Sequence, residues 1–132
     1  PAFNVATSVN LIIAQRLARR LCTHCKKLAD DIPEQILKKE GFDGIDIPLD
    51  QIQLYHPQGC PKCTNGYKGR IGIYEVLKVT PAISQIIMEG GNSLEIARKG
   101  VEEGFRTLRQ SALRRAAAGI ISLEEANRVT KD

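Results

Sequence analysis

The chain of 132 residues contains no tryptophan, and aromatic residues make up only 5% of it. Its core must therefore consist mainly of aliphatic side chains, and the apolar share of 42% is ordinary for a globular protein. Scarce aromatics argue against a surface that stacks the bases of single-stranded nucleic acid. No apolar run approaches the roughly 20 residues that cross a bilayer, and no secretory signal opens the chain.

Motifs for catalysis are missing as well. The chain has no G-x-x-x-x-G-K-[ST] phosphate loop, and the three-residue spacing of Gly66, Gly69 and Gly72 does not match a dinucleotide fingerprint. Both histidines lie near cysteines, which leaves no Ser/His/Asp set. We therefore do not expect this chain alone to be an enzyme. Its start at Pro1 without Met leads us to expect a piece of a longer protein.

Charge is unevenly distributed along the chain, whose net charge is +4. Residues 16–27 hold five cations and no acid, whereas residues 30–50 hold seven acids against two lysines. The last third is basic again. An anionic partner would explain this asymmetry, but solvated surfaces and charges that meet across subunits are the favoured interpretation because aromatics are not interleaved.

The four cysteines form two identical C-x-x-C pairs separated by 34 residues, Cys22 with Cys25 and Cys60 with Cys63. A two-residue spacing lets both sulfurs of a tight turn point at one ion, and two such turns supply the tetrahedral four-sulfur site that structural zinc prefers. Four sulfur ligands leave no position for water, so the predicted zinc is structural.

Disulfide bonds and thiol redox chemistry are the alternatives to a zinc site, and both stay open. Disulfides fit a secreted protein, and a thioredoxin-like redox motif needs one C-x-x-C at a strand–helix junction rather than two. Four unrelated cysteines would not normally fall into two equal spacings. His24 and His56 lie close enough in sequence to replace a ligand, but we interpret both as bystanders.

The predicted fold class is α+β, mainly helical, with a small β-hairpin and a lobe stapled by zinc. Residues 1–21 are predicted to end in a helix, capped by Thr7 or Ser8, because apolar residues recur every fourth position from Val9 to Leu21. Residues 22–79 are predicted to form the four-cysteine lobe.

Within that lobe the sequence predicts a short helix and one strand pair. The helix follows the Asp30–Pro33 cap, runs to about Glu40 and stops at Gly41. The strand Gly69–Val79 is expected to pair with Gln51–His56, with the second cysteine pair between them.

Residues 80–132 are predicted to form a bundle of four short helices. Thr80-Pro81, Asn92 or Ser93, Thr107, and a capping box at Ser122 mark the starts, and glycines mark the ends of the first three. The second helix is expected to stop near Gly104. The acidic pair Glu124-Glu125 is interpreted as a solvated face or a cap.

Two long segments resemble a known family. They are residues 6–22, ATSVNLIIAQRLARRLC, and residues 59–77, GCPKCTNGYKGRIGIYEVL, with residues 104–108, GFRTL, in further agreement. Together they resemble the C-terminal region of the ATPases of type II secretion and type IV pilus assembly, and the opening residues resemble the pilus assembly branch most. The resemblance covers nearly the whole chain.

The resemblance implies a hexameric, RecA-like cytoplasmic motor, peripheral to the bacterial inner membrane, that acts on an inner-membrane platform protein. ATP and Mg²⁺ would bind only in the full-length protein, because the family's motor motifs would lie upstream. Residues 1–21 would be the last helix of the motor core, and the neighbouring subunits and the chain's own motor domain would be its partners. The four cysteines match the family's zinc ligands one for one, and no catalytic residue is carried over.

The resemblance also suggests a role for the polar residues before the first cysteine. Gln15, Arg16 and Arg19 or Arg20 would lie where the motor core meets this region, so one arginine would contact nucleotide or a neighbouring subunit; a solvated basic helix face is the alternative. Two rival functions are a zinc-ribbon nucleic-acid-binding module and a type II secretion ATPase. No nucleic-acid partner is expected.

Overall fold

The computed structural model describes residues 9–103 and 105–131. Four strands and five α-helices follow one another in these residues: β1 (Val9–Leu21), β2 (Lys27–Ala29), α1 (Glu34–Glu40), β3 (Leu54–His56), β4 (Tyr67–Val79), α2 (Pro81–Met88), α3 (Ser93–Glu102), α4 (Leu108–Ala117) and α5 (Leu123–Thr130). Short 3₁₀ turns lie between α1 and β3. The α+β class agrees with the prediction, and the five helices correspond to five of the six predicted ones.

The first element is a strand, so the prediction of a helix ending at Leu21 is wrong. A spacing of four residues also keeps side chains on one face of a strand, because four is a multiple of the strand period of two. The run from Val9 to Ile13 is rich in β-branched residues, which favour strands. The predicted caps Thr7 and Ser8 lie outside the described residues.

Strand β1 pairs with β4 in a long antiparallel ladder that runs from Val9↔Val79 to Leu21↔Tyr67. The register shifts after Ile12 and again after Arg19, as at β-bulges. These shifts decide which side chains face the core, because each extra residue reverses the alternation. Ala18 and Leu21 are consequently buried, whereas Leu17 is half exposed.

Strand β3 pairs with β2 and not with β4, which corrects the predicted strand pair. The strand predicted at Gly69–Val79 exists and begins two residues earlier. The predicted partner Gln51–His56 is wrong because β1, which the periodicity predicts as a helix, is the strand that pairs with β4. The ladder of β2 with β3 spans Lys27↔His56 to Ala29↔Leu54.

The five helices predicted after residue 30 are confirmed, and so are most of their caps. Helix α1 ends at Gly41 in the left-handed conformation, and the side chains of Thr80, Thr107 and Ser122 accept hydrogen bonds from backbone N–H groups in the first turns of α2, α4 and α5. The predicted stop at Gly104 lies outside the described residues. Helix α2 packs on α3, and α4 packs on α5. No helix in the described part of the chain combines the length and hydrophobicity needed to span a bilayer.

One hydrophobic core joins the predicted parts of the chain. Ala18 of β1, Phe42 after α1, Ile73 of β4, Leu113 of α4 and Ala126 of α5 all belong to it and are almost completely buried. The residues before Cys22 and after Val79 therefore share their core with the four-cysteine lobe. Helices α4 and α5 form one wall of this core.

A buried carboxylate fastens α5 to β1. The side chain of Glu125 is fully buried and forms ion pairs with Arg19 at 2.8 Å and Arg128 at 2.6 Å. It also accepts a 2.7 Å hydrogen bond from the backbone N–H of Arg19. Burial raises the pKa of Glu125, but the hydrogen bonds from Arg128 and Arg19 outweigh it and lower the pKa to about 2. The interpretation of Glu124-Glu125 as a solvated face or a cap is thus wrong for Glu125, whose carboxylate is buried against Arg19 and Arg128.

Replacing this carboxylate should weaken the fold in a pH-dependent way. We expect Glu125→Gln to lower the free energy of unfolding by about 2 kcal/mol near neutral pH, because charge-assisted hydrogen bonds to both arginines are lost. The native pKa lies below the usual value of 4.5, so this stabilisation is present above 4.5 and disappears as the pH falls through about 2.

The measurement is urea unfolding of both proteins at several pH values. The difference between wild type and Glu125→Gln should shrink toward acid pH. Glu102→Gln, a matched change that removes an exposed ion pair with Lys99, should show a much smaller difference. A constant difference across the pH range would contradict an ionised Glu125 as its source.

Candidate metal centre

The two cysteine pairs lie in the two connections between the ladders. Cys22 and Cys25 occupy the turn from β1 to β2, and Cys60 and Cys63 occupy the turn from β3 to β4. The strands β1 and β2 flank the first cysteine pair, and β3 and β4 flank the second. Each ladder contains one strand from each of these two groups, since β1 pairs with β4 and β2 pairs with β3. The ladders therefore bring together two turns that are distant in sequence.

Each pair sits in a tight backbone turn. The carbonyl oxygen of Cys22 accepts hydrogen bonds from the N–H of Cys25 at 3.4 Å and of Lys26 at 3.0 Å, and the carbonyl oxygen of Cys60 accepts from the N–H of Cys63 at 3.3 Å. The same turn geometry at both pairs aims both sulfurs of each pair in one direction. The sequence spacing is thus expressed as matching local structure.

The four sulfur atoms lie within 4.8 Å of one another. The Sγ–Sγ distance is 3.8 Å from Cys22 to Cys60, 3.8 Å from Cys25 to Cys63 and 3.7 Å from Cys60 to Cys63. A tetrahedral zinc ion with Zn–S bonds of about 2.3 Å requires sulfurs about 3.8 Å apart. The geometry therefore fits a zinc ion at the centre of the four cysteines, which are free thiols in this structure.

The electrostatics of the cluster also favour a cation. Burial raises the pKa of Cys22, but the backbone N–H of His24 and the neighbouring thiols outweigh it and lower the pKa to about 7. The backbone N–H of Lys62 lowers the pKa of Cys60, yet burial and the adjacent thiols raise it to about 11. The two pKa shifts have opposite signs because neighbouring thiols stabilise the first thiolate that forms in the cluster. A second thiolate is then repelled by the first. A divalent ion removes that repulsion.

A backbone donor and a close-packed glycine shape the centre further. The N–H of Gly59 donates to the sulfur of Cys25 at 3.3 Å, as expected of an N–H that supports a metal-bound thiolate. Gly66 has a φ of +91°, and a Cβ there would lie 2.4 Å from the Cβ of Pro57. Its carbonyl oxygen accepts a 2.9 Å hydrogen bond from the N–H of Cys22, which ties the two turns together.

Neither histidine belongs to the group of sulfur atoms. Within the described residues, the possible metal-ligand group near these turns consists of the four cysteines, and His24 is exposed. His56 lies between two carboxylates, with Nε2 3.0 Å from Asp31 and Nδ1 3.3 Å from Glu124. The hydrogen bond with Asp31 raises the pKa of His56, because both carboxylates favour the imidazolium form.

The polar residues suggested as a motor contact lie on a strand. Gln15, Arg16 and Arg20 are exposed on β1, and Arg16 donates to the carbonyl oxygen of Gln15. Arg19 pairs with Glu125 and its guanidinium lies 4.2 Å from the centre of the Tyr67 ring. The idea of a basic helix face is therefore wrong, although a contact with nucleotide or a neighbouring subunit stays a prediction.

Sequence reasoning missed Glu125 as a structural partner of Arg19. Glu125 occupies the position at which the acidic side chain of a capping box would bind the start of its own helix. The side chain of Ser122 does accept a 3.1 Å hydrogen bond from the N–H of Glu125, as in such a box. The arginine three residues later, Arg128, was the available signal that the carboxylate has another partner.

Four cysteines grouped closely enough to hold a metal ion, on two paired ladders, define the class of an α+β module with a candidate metal centre. The chain belongs to the family of type II/IV secretion system proteins, whose family model matches residues 1–128. This confirms the family that the sequence resembles.

The curated relatives include ATPases of both branches. The chain is 62% identical to the type IV pilus assembly ATPase PilB of Pseudomonas aeruginosa, over 100% of this chain and 23% of that protein. It is 53% identical to PilB of Acinetobacter baylyi, over 99% of this chain and 22% of that protein. It is 36% identical to the type II secretion system ATPase E of Vibrio cholerae, over 98% of this chain and 25% of that protein. The chain therefore spans about a quarter of the length of these relatives.

Removing one sulfur should remove the metal and weaken the fold. We expect one zinc ion per wild-type chain and much less in Cys60→Ser, because three thiolates leave the tetrahedron incomplete. The melting temperature should fall by at least about 10 °C, since binding of structural zinc is coupled to folding. Elemental analysis and thermal unfolding measure the two effects.

The matched control is His24→Ala, which changes a residue inside the first C-x-x-C turn. It should retain one zinc ion per chain because His24 is exposed and outside the sulfur group. Loss of zinc in His24→Ala, or full zinc in Cys60→Ser, would contradict the four-sulfur assignment.

His56 should make stability depend on pH in the opposite sense to Glu125. Its pKa is raised above the usual 6.5, so its pairs with Asp31 and Glu124 stabilise the fold below 6.5. This stabilisation is lost as the pH rises through the native pKa.

The test compares wild type with His56→Asn by chemical unfolding between slightly acid and slightly alkaline pH. The wild-type advantage should decrease as the pH rises, and NMR titration of the imidazole should give a native pKa above 6.5. A native value at or below 6.5 would contradict the expected effect of the two carboxylates.

Proposed function

We propose that this chain is the zinc-binding C-terminal region of a type IV pilus assembly ATPase. The observation that carries the proposal is the 62% identity to PilB of Pseudomonas aeruginosa over the whole chain. The secretion ATPase relatives are similar over the same length but less identical, at 36% for Vibrio cholerae, which favours the pilus branch.

The whole protein would be a hexameric motor at the cytoplasmic face of the inner membrane. It would hydrolyse ATP with Mg²⁺ and act on a platform protein of the pilus machine, as the family resemblance implies. This chain would contribute no catalytic group, since it contains no phosphate loop.

Zinc would have a structural role in this proposal. Cys22, Cys25, Cys60 and Cys63 would hold the ion, which would connect the ends of both ladders at one point. The ladder of β2 and β3 is only three residues long, and isolated two-stranded ribbons are marginally stable. The ion would therefore stiffen the junction by turning metal-binding free energy into folding free energy. A stiff junction would transmit rotation of the motor to its partner.

A chimera tests the functional assignment. This chain replaces the matching part of PilB in Pseudomonas aeruginosa, and surface pilin is measured together with the abundance of the chimera. We expect pili to be restored, because the exchanged parts are 62% identical. The matched change is Cys60→Ser in the chimera, which should reduce pilus assembly.

The secretion branch provides the comparison. The same exchange in the Vibrio cholerae secretion ATPase should restore secretion poorly, since the identity there is 36%. An abundant pilus chimera without pili, or a secretion chimera that works better, would contradict assignment to the pilus branch.

A further inference from the structure

A second polar site lies far along β4 from the cysteines, in a groove between β4 and α4. Its volume is about 600 Å³, which is within the usual range for small-molecule sites. Residues of β4, the segment after α3, one face of α4 and Asn10 of β1 line it.

The groove carries a surplus of positive charge. Four cations line it, Lys78, Arg106, Arg114 and Arg115, against the single acid Glu103. Across residues 9–103 and 105–131, Arg114 makes an ion pair with the exposed Asp46 at 3.2 Å, whereas Lys78, Arg106 and Arg115 make none. Like charges gathered on one groove repel one another, so an anion between them would relieve that repulsion.

The backbone holds these cations at the groove. Arg106 and Val76 exchange two backbone hydrogen bonds, of 3.1 and 3.2 Å, which fix Arg106 at the edge of β4. Ser111 and Arg115 are four residues apart in α4 and therefore lie on the same helix face. The walls of the groove are thus regular elements, which position side chains more accurately than loops do.

One buried donor beside the groove has no acceptor among the described residues. The Nε of Arg114 is buried and lacks a hydrogen-bond partner among the described residues, although another nitrogen of the same guanidinium binds Asp46. An unsatisfied buried donor is unfavourable and rare in native proteins. Because this atom is closed to solvent, an anion in the groove would instead accept hydrogen bonds from the accessible N–H groups of the arginines that line it.

We propose that the groove between β4 and α4 binds a phosphate-bearing anion. Phosphate offers several oxygens that accept the paired N–H groups of arginine, and the surplus of cations suits an anion with more than one negative charge. The exposed ring of Tyr74 gives the groove an apolar wall beside its cations. This site is separate from the cysteines and from the proposed motor function.

The test is an NMR titration of the zinc-loaded chain with three probes. Inorganic phosphate and ATP represent free phosphate compounds, and phosphatidylglycerol vesicles, compared with phosphatidylcholine vesicles, represent a lipid headgroup. We expect saturable shifts of backbone signals in residues 72–78 and 106–118 with at least one phosphate probe. The probe that binds most tightly identifies the source of the phosphate.

Variants locate the binding energy. Arg115→Gln should weaken binding by about 10-fold, because a charged hydrogen-bond partner is lost. The matched control Arg98→Gln changes an exposed arginine of α3 that does not line the groove and should leave affinity within about 2-fold. Both variants should keep the wild-type melting temperature.

Two results would overturn the proposal. One is the absence of saturable shifts in the groove with all three probes. The other is equal weakening by Arg115→Gln and Arg98→Gln, which would indicate attraction to net charge alone. Loss of affinity only in Arg115→Gln, with an unchanged fold, supports the groove.

Discussion

The convergence of four cysteine sulfurs is the constraint on which the middle of the molecule depends. Each of the two ladders ends at this junction, and each contains one strand from before and one from after the acidic insert of residues 30–50. A ladder of three residue pairs provides little stability of its own. A common anchor for both ladders therefore fixes the position of the insert relative to the long ladder of β1 and β4.

A second, independent anchor is electrostatic and joins α5 to β1. Glu125 of α5 binds both the backbone and the side chain of Arg19. This attaches α5 to β1 just before the first cysteine pair. The sulfur cluster and this carboxylate thus hold opposite ends of a short stretch, from Arg19 to Cys25. Burial of Glu125 makes the pairing sensitive to the loss of either arginine, because an unpaired buried charge is costly.

The sequence predicted those features that depend on short spacings. The cysteine turns, the helix caps at Thr80, Thr107 and Ser122, and the stop at Gly41 each require a few neighbouring residues, and the structure contains all of them. Strand pairing requires contacts between distant residues, and here the four-residue periodicity of β1 fitted a helix and a strand equally well. The partner of Glu125 was likewise hidden, because Arg19 lies 106 residues away in the chain.

The contact between Gly66 and Pro57 has a consequence for the order of assembly. It closes a loop of about ten residues around Cys60 and Cys63, and loops of that length close within roughly 10–100 ns. Contact between the first and second cysteine pairs, in contrast, requires closure of a chain segment that contains the whole acidic insert. We therefore expect each cysteine turn to form from local contacts, and the union of the two turns to wait for closure of the chain across the acidic insert.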